Sequence, residues 1–143
     1  MCLAFCATAQ PSEPPTTFSI AAAGDIMMHR PQHPAGLNRA TGQYNYRPFF
    51  DRVRGVFGES QVVIGNLETP LAAPRFPTSG FPRFNARIEL AEGLAHAGFT
   101  HIGLANNHAL DRGVVGLESS IKAVESAGMR RFGVRMREAE TGF

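Results

Sequence analysis

The chain has 143 residues, of which 43% are hydrophobic and 18% are charged. This length and composition are typical of one globular domain with a core and do not indicate an intrinsically disordered chain. The formal net charge is +2, and the basic clusters at residues 129–131 and 135–137 are not interleaved with aromatic side chains, so a nucleic-acid partner is not expected. Both cysteines, Cys2 and Cys6, lie in the first six residues, so the rest of the chain can form neither a disulfide nor a thiolate metal site of its own.

The first nine residues are apolar and end in Ala7-Thr8-Ala9, an A-x-A pattern typical of a signal-peptidase site. They are interpreted either as the tail of a signal peptide that starts upstream or as a disordered N-terminus, and they are too short to span a bilayer. Residues 10–17 contain three prolines and predict an extended linker. The domain is therefore expected to occupy residues 18–143.

The first part of this domain combines a predicted strand with a predicted helix. Residues 18–23 form a short apolar run that indicates a buried strand, and Gly24-Asp25 follows it. Residues 26–43 are typical of a loop. Pro48 is a favourable first residue for a helix, and Gly58 is a suitable end. The apolar residues of this helix recur at helical spacing and are expected in the core: Phe49, Phe50, Val53, Val56 and Phe57.

A second strand is predicted at residues 61–65, and it ends in Asn66-Leu67-Glu68. Residues 69–84 contain four prolines and no periodicity, so they predict a long loop of the kind that often carries function. Asn85 can cap a helix that ends at Gly98. The apolar face of that helix consists of Ile88, Ala91, Leu94 and Ala95.

A third strand is predicted at residues 100–105, and it ends in Asn106-Asn107-His108. An amphipathic helix then ends at Gly128, and residues 131–134 predict a fourth strand. Its apolar stripe consists of Val114, Leu117, Ile121 and Val124. The order β-α-β-α-β-α-β predicts an α/β fold with largely parallel strands.

The polar motifs share one position, since each follows the predicted end of a strand. In open α/β sheets these ends lie at one edge, where ligands bind. The residues expected there are Asp25, Asn66, Glu68, Asn107 and His108. Their carboxylate, amide and imidazole groups are ligands for hard and borderline divalent cations.

Other polar residues have weaker claims on this site. Asp111 either orients His108 from behind or caps the helix that follows. His29 lies four residues after Asp25 and could line the site, whereas His96 and His101 are interpreted as structural.

These motifs resemble the signature blocks of the CapA family, which is named for bacterial capsule and poly-gamma-glutamate synthesis. The resemblance runs from about residue 18 to residue 134, and the third block is its most specific part. The blocks are Gly24-Asp25-Ile26-Met27-Met28, Gly65-Asn66-Leu67-Glu68-Thr69-Pro70, Phe84-Asn85-Ala86, and Leu104-Ala105-Asn106-Asn107-His108-Ala109-Leu110-Asp111-Arg112-Gly113.

The resemblance implies a calcineurin-like metallophosphoesterase fold, an α/β/β/α sandwich around a site for two divalent ions of Mn, Fe, Zn or Mg. It implies that Asp25 and Asn107 are metal ligands and that Asn66 stands where a bridging aspartate usually lies. His108 corresponds to the histidine that stabilises the transition state or protonates the leaving group. In such sites the ions activate a water and neutralise charge on the phosphoryl group.

The chain departs from the active phosphoesterase pattern in three ways. Met27 stands where a second ligand, histidine, is expected. Asn66 replaces a charged carboxylate, although Glu68 can supply that charge. The later histidine ligands have no counterpart, so the chain is expected to be an N-terminal part of a longer protein.

Two functions therefore remain open. One is a metal-dependent hydrolase that acts on a small-molecule, phosphorylated or polyglutamyl substrate outside the cytoplasm, in the periplasm or at the cell surface, with a membrane-associated parent protein as one form. The other is a non-catalytic component of polymer synthesis or export that works with cell-surface partners. An inactive fragment is the third interpretation.

Overall fold

The computed structural model describes residues 17–136. Its main sheet has four parallel strands, which lie side by side in the order β1 (Ile20–Ile26), β2 (Val62–Leu67), β5 (His101–Gly103) and β6 (Arg130–Phe132). This arrangement confirms the predicted α/β class. The proposed leader and nearly all of the linker lie outside the described residues.

Three α-helices connect these strands: α1 (Arg54–Phe57), α2 (Leu90–Ala97) and α3 (Gly113–Ser126). The strand order advances in one direction along the chain, so right-handed connections place the helices on one face of the sheet. The core lies on that face, where Val63, Leu94, Ile102 and Val124 are fully buried. Within residues 17–136, no helix has the length and hydropathy that crossing a membrane requires.

The predicted ends of α2 and α3 are confirmed. Gly98 and Gly128 have φ angles of 106° and 83°, in the left-handed region that glycine adopts without a steric penalty. The predicted stripe of α3 is confirmed at Ile121 and Val124, which are buried, but Val114 is 62% exposed. The stripe therefore enters the core only after the first turn of the helix.

The helix predicted to open at Pro48 is wrong in extent. The chain forms a 3₁₀-helix at Arg47–Phe50 and then the single turn of α1, with turns between them. Phe50 and Phe57 pack against the core, whereas Phe49, Val53 and Val56 are exposed. The apolar residues do recur at helical spacing, but the two short helical turns pack only one of their sides against the core.

The loop predicted at residues 69–84 contains a strand. β3 (Leu71–Ala73) pairs in parallel with β4 (Ala86–Arg87) to form a second small sheet. All three residues of β3 are buried, and the Oγ of Ser120 in α3 accepts a hydrogen bond from the Leu71 N–H. The prolines on either side of β3 concealed this strand, because it is only three residues long.

Asn85 does not cap α2. Its side chain is completely buried, where Oδ1 accepts from the Ala72 N–H and Nδ2 donates to the carbonyls of Phe76 and Pro77. Asn85 therefore ties the segment after β3 to the start of β4, while α2 begins after Glu89 without a side-chain cap.

β1 was predicted to be buried, but it forms an edge of the sheet. Its residues alternate between exposed and partly buried, and Ile20 is 60% exposed. Its pairing with β2 is irregular between Ala22 and Asp25. Beside it, Gly65 of β2 lacks room for a side chain, because an added Cβ would lie 2.7 Å from both Ile26 Cδ1 and Phe99 Cε1. The absence of a side chain at Gly65 thus allows Ile26 and Phe99 to pack directly against the backbone of β2.

Candidate functional site

The carboxyl ends of β1, β2 and β5 meet at one edge of the main sheet, as expected for parallel neighbours. Asp25 lies opposite Asn66 in the strand register, and Asn66 lies opposite Gly103. Asp25 and Asn66 are the second-to-last residues of β1 and β2, whereas the sequence predicted them in the loops after these strands. Glu68 directly follows β2, and His108 lies in the turns after β5.

Asn66 is the centre of the polar cluster at this edge. Its Nδ2 donates to Oδ1 of Asp25 at 2.8 Å and to Oε2 of Glu68 at 3.0 Å. Its Oδ1 accepts from Nδ2 of Asn106 at 3.0 Å. The amide therefore presents its NH₂ group, not its oxygen, to the two carboxylates.

Asn106 sets this orientation of Asn66. The Nδ2 of Asn106 also donates to the Leu67 carbonyl, and its Oδ1 accepts from the His108 N–H, both at 3.0 Å. Because these backbone partners determine which atom of Asn106 is the donor, they also determine that Asn66 offers an oxygen to it. One chain of hydrogen bonds therefore connects the ends of β1 and β2 to the turn that carries His108.

Glu68 is held in a partly desolvated position, with 14% of its side chain exposed. Burial raises the pKa of Glu68, and the nearby Asp25 carboxylate raises it further, while His108 and Asn66 act in the opposite direction. The cluster thus concentrates negative charge between two strand ends. His108 Nε2 lies 4.0 Å from Glu68 Oε1 on the side facing this charge.

His108 is oriented by Asp111. The Asp111 Oδ2 lies 2.9 Å from His108 Nδ1 and also accepts from the Phe84 N–H at 2.6 Å. A carboxylate at Nδ1 favours a proton on that nitrogen and leaves Nε2 directed toward Glu68. The Phe84 ring meets the His108 ring edge-on, with centroids 4.7 Å apart, and limits its rotation.

The alternative role for Asp111, as a helix cap, does not match the geometry. α3 begins after Arg112 and has no side-chain cap, whereas the Asp111 carboxylate contacts His108 and Phe84. His29 meets the same Phe84 ring edge-on, with centroids 5.2 Å apart. His29 therefore lies at the margin of the site rather than inside the cluster.

Asn107 is placed differently from Asn106. Its side chain is exposed and forms no hydrogen bond within the part of the chain that the structure describes. The sequence motif predicted Asn107 as a site residue, but not Asn106 or Phe84. In the structure Asn106 forms hydrogen bonds within the cluster, and Phe84 packs on His108. The Asn-Asn dipeptide was the available signal, but adjacent residues in a turn point in different directions that only the folded chain defines.

Among residues 17–136, no group of three or more His, Cys, Asp and Glu side chains is arranged to hold a metal ion. The acidic part of the cluster consists of two carboxylates, Asp25 and Glu68, joined through the amide of Asn66. Met27, at the position where the resemblance expects a histidine, is partly buried. What the site contains is a carboxylate pair, an oriented imidazole and an exposed amide.

Residues 19–142 match a protein family described as bacterial capsule synthesis protein PGA_cap. The chain is 30% identical over 112 residues to capsule biosynthesis protein CapA of Bacillus anthracis, which covers 74% of this chain. It is 30% identical over 100 residues to PGA biosynthesis protein CapA of Bacillus subtilis (strain 168), covering 68% of this chain. An uncharacterized protein, y4sH, of Sinorhizobium fredii is 26% identical over 130 residues, covering 86% of this chain.

The chain spans about a quarter of the length of these relatives, since the matched regions cover 26%, 25% and 26% of them in that order. The matched family region includes every residue of the cluster described above.

Proposed function

The chain belongs to the PGA_cap family of bacterial capsule synthesis proteins, and from that membership we propose that it acts in the synthesis of a capsule polymer of the poly-gamma-glutamate type. We place this role outside the cytoplasm, in the periplasm or at the cell surface, together with other components of polymer synthesis. The strand-end cluster is the proposed reaction centre. A phosphorylated or polyglutamyl compound is the proposed substrate class.

One observation carries the catalytic part of this proposal: the aligned series Asp111, His108, Glu68. The contact of Asp111 Oδ2 with His108 Nδ1 at 2.9 Å positions the imidazole. Its Nε2 then faces a partly buried carboxylate at 4.0 Å. An imidazole held in this way can accept a proton from a water or donate one to a leaving oxygen. Phe84 keeps the ring in that orientation.

A divalent cation suits the donor chemistry of the same cluster. The exposed Asp25 lies beside the mostly buried Glu68, and a cation between the two carboxylates would offset their repulsion. The residues proposed to hold it are Asp25, Glu68 and the exposed Asn107. Asn66 could contribute only after its amide reverses, at the cost of its bond to Asn106.

When bound, such an ion supplies Lewis-acid polarisation and a more acidic water. The remaining work belongs to the chain. Asn66 donates to both carboxylates and so links Asp25 of β1 to Glu68 at the end of β2. His108 transfers the proton, and Asp111 holds the imidazole ring in place. We propose one ion rather than two, because Asn66 lacks the negative charge of a bridging carboxylate.

The test is hydrolysis of bis(p-nitrophenyl) phosphate by the purified protein with Mn²⁺. We expect His108→Ala to reduce the rate by about 100-fold, the scale of general acid–base catalysis. His96→Ala is the matched control, since His96 pairs with Asp51 away from the cluster. An unchanged rate in His108→Ala would reject the catalytic role. Equal metal content in wild type and in Asp25→Ala and Asn107→Ala would reject the metal site.

A non-catalytic role is the second candidate, and a specific observation favours it. The Asn66 NH₂ group already lies between the two carboxylates, where it partly satisfies them without an ion. Under this alternative the cluster is a structural or binding element of a polymer-synthesis component. The non-catalytic role would be favoured if the wild-type protein bound metal but did not hydrolyse the phosphodiester. It would also be favoured if the protein neither bound metal nor hydrolysed the phosphodiester.

A further inference from the structure

Two guanidinium groups converge on one carbonyl beside the cluster. Arg83 Nη2 donates to the Asp111 carbonyl at 2.9 Å, and Arg112 Nη1 donates to the same oxygen at 3.1 Å. Arg83 comes from the segment between β3 and β4, and Arg112 immediately precedes α3. Two cations that share one acceptor repel each other, so the arrangement gains from a third group of negative charge.

The described residues do not supply that charge. Neither Arg83 nor Arg112 forms an ion pair with a carboxylate in residues 17–136, whereas Arg47, Arg87 and Arg131 all do. Both arginines contact Asp111 through its backbone carbonyl, whereas its Oδ2 is engaged by the Phe84 N–H and by His108.

The two arginines are not equivalent. Arg112 is partly buried, and its Nη2 donates to the Ser79 hydroxyl and to the Arg83 carbonyl, which joins the segment before β4 to the start of α3. Arg83 is exposed, and the Asp111 carbonyl is the one acceptor that it has among the described residues. Because a guanidinium has five N–H donors, most of those on Arg83 remain for a ligand.

Asp111 connects this pair to the proposed reaction centre. Its carbonyl accepts from both arginines, while its carboxylate contacts His108 Nδ1. An anion on Arg83 would therefore lie near Asp111, the residue that orients the imidazole. The guanidinium fork matches the planar or tetrahedral oxygens of carboxylates and phosphates.

We propose that Arg83, with Arg112 holding its segment in place, binds an oxyanion group of the substrate next to His108. The shared ligand chemistry is that of a phosphate or a carboxylate. This inference rests on the proposed function in that the substrate is the molecule on which His108 acts. It assigns Arg83 to substrate binding and Arg112 to the positioning of Arg83.

Binding can be measured without turnover, by titrating the purified protein with inorganic phosphate and separately with glutarate while following the arginine side-chain Nε–Hε signals by NMR. We expect saturable shifts at Arg83 and about a tenfold weaker dissociation constant in Arg83→Gln, the scale of a charge-assisted hydrogen bond. Tighter binding of phosphate identifies a phosphate group as the ligand, and tighter binding of glutarate identifies a carboxylate.

Arg52→Gln is the matched control, because it removes the same charge from an exposed arginine beside Asp51, which pairs with His96 near the end of α2. Arg112→Lys keeps the charge but loses the fork, and we expect it to weaken binding while the protein stays folded. Equal affinity in Arg83→Gln and wild type, an equal loss in Arg52→Gln, or no binding of either anion would overturn the inference.

The failure of this inference can be told from the failure of the proposed function. Anion binding that depends on Arg83, in a protein that hydrolyses nothing, rejects only the catalytic proposal. Hydrolysis with an unchanged KM in Arg83→Gln rejects only the role of Arg83.

Discussion

Residues 17–60 and residues 61–136 are built differently, although both are rich in apolar side chains. In the first segment the buried hydrophobic residues are Met28 and Tyr46, and large apolar side chains such as Ile20 and Val56 remain exposed. In the second segment β2, β3, β5 and two longer helices share one continuous core. Apolar spacing alone therefore does not report burial; the number of packed neighbours does.

The candidate site joins the two segments. Asp25 belongs to the edge strand of the first segment, whereas Asn66, Glu68 and His108 belong to the second. The register of β1 on β2 and the hydrogen bond from Asn66 to Asp25 connect them. Asn66, Glu68 and His108 thus belong to the well-packed second segment, whereas Asp25 lies on an edge strand with fewer packed neighbours.

The largest expected effect contrasts a buried residue of the second segment with an exposed apolar residue of the first. Leu94 is completely buried and Val56 is 74% exposed. We expect Leu94→Ala to lower the free energy of unfolding by about 3 kcal/mol, through lost burial and a cavity. Val56→Ala should change it by less than about 0.5 kcal/mol. Urea unfolding measures both, and similar losses would mean that the two segments do not differ in packing.

The next effect compares two asparagines. Asn85→Ala leaves the buried Ala72 N–H without its acceptor and removes the donor to Phe76 and Pro77. We expect a loss of about 2 kcal/mol in unfolding free energy. Asn38→Ala is the control, because Asn38 is exposed and its Oδ1 bonds only the local N–H groups of the turn that follows it. Chemical denaturation that ranks Asn38→Ala as the more damaging change would contradict this comparison.

A smaller effect concerns the junction of the segments. Asn66→Asp replaces the NH₂ donor between Asp25 and Glu68 with a third carboxylate. Without metal we expect a loss of about 1 kcal/mol in unfolding free energy, from missing hydrogen bonds and charge repulsion. Mn²⁺ should raise the melting temperature of this variant more than that of wild type, because a ligand that binds only the folded state stabilises it. A variant that Mn²⁺ does not stabilise would argue against a cation at this place.

The smallest effect tests a buried polar residue of the first segment. Burial lowers the pKa of His33 and the charge of His29 adds to this, while the bond to the Ser79 carbonyl acts in the opposite direction. The Nδ1 of His33 is buried without a hydrogen-bond partner among residues 17–136, so the neutral ring fits the site and the charged ring does not.

The sign follows from the lowered pKa. The unfolded chain takes up a proton at this residue near pH 6.5, before the folded chain does, so His33 reduces stability as the pH falls below that value. We expect His33→Gln to make unfolding free energy fall less than in wild type between pH 7 and pH 5. Parallel pH profiles for the two proteins would show that His33 is not the source.

Much of the arrangement could be predicted from residue order. Four strands, the glycine ends of α2 and α3, and the meeting of Asp25, Asn66, Glu68 and His108 at one edge follow from short apolar runs, glycine conformation and parallel pairing. The choice between Asn106 and Asn107 could not be predicted, because turn geometry decides which side chain faces inward. The buried Asn85 forms three side-chain hydrogen bonds to β3 and the segment after it, and the short strand β3 is held against α3. Both arrangements depend on contacts between distant residues.

The sequence by itself determined the α/β class, the resemblance to the capsule synthesis family and the polar residue types at the strand ends, because local periodicity and short motifs encode these properties. The tertiary structure alone decided that β1 is an edge, that the helix after Pro48 breaks into two turns, and that Asp111 orients His108 instead of capping α3. It also decided that Asn66 turns its NH₂ group toward Asp25 and Glu68. For β1, Asp111 and Asn66 these outcomes depend on partners 27 to 42 residues away in the sequence, and no local pattern records such contacts.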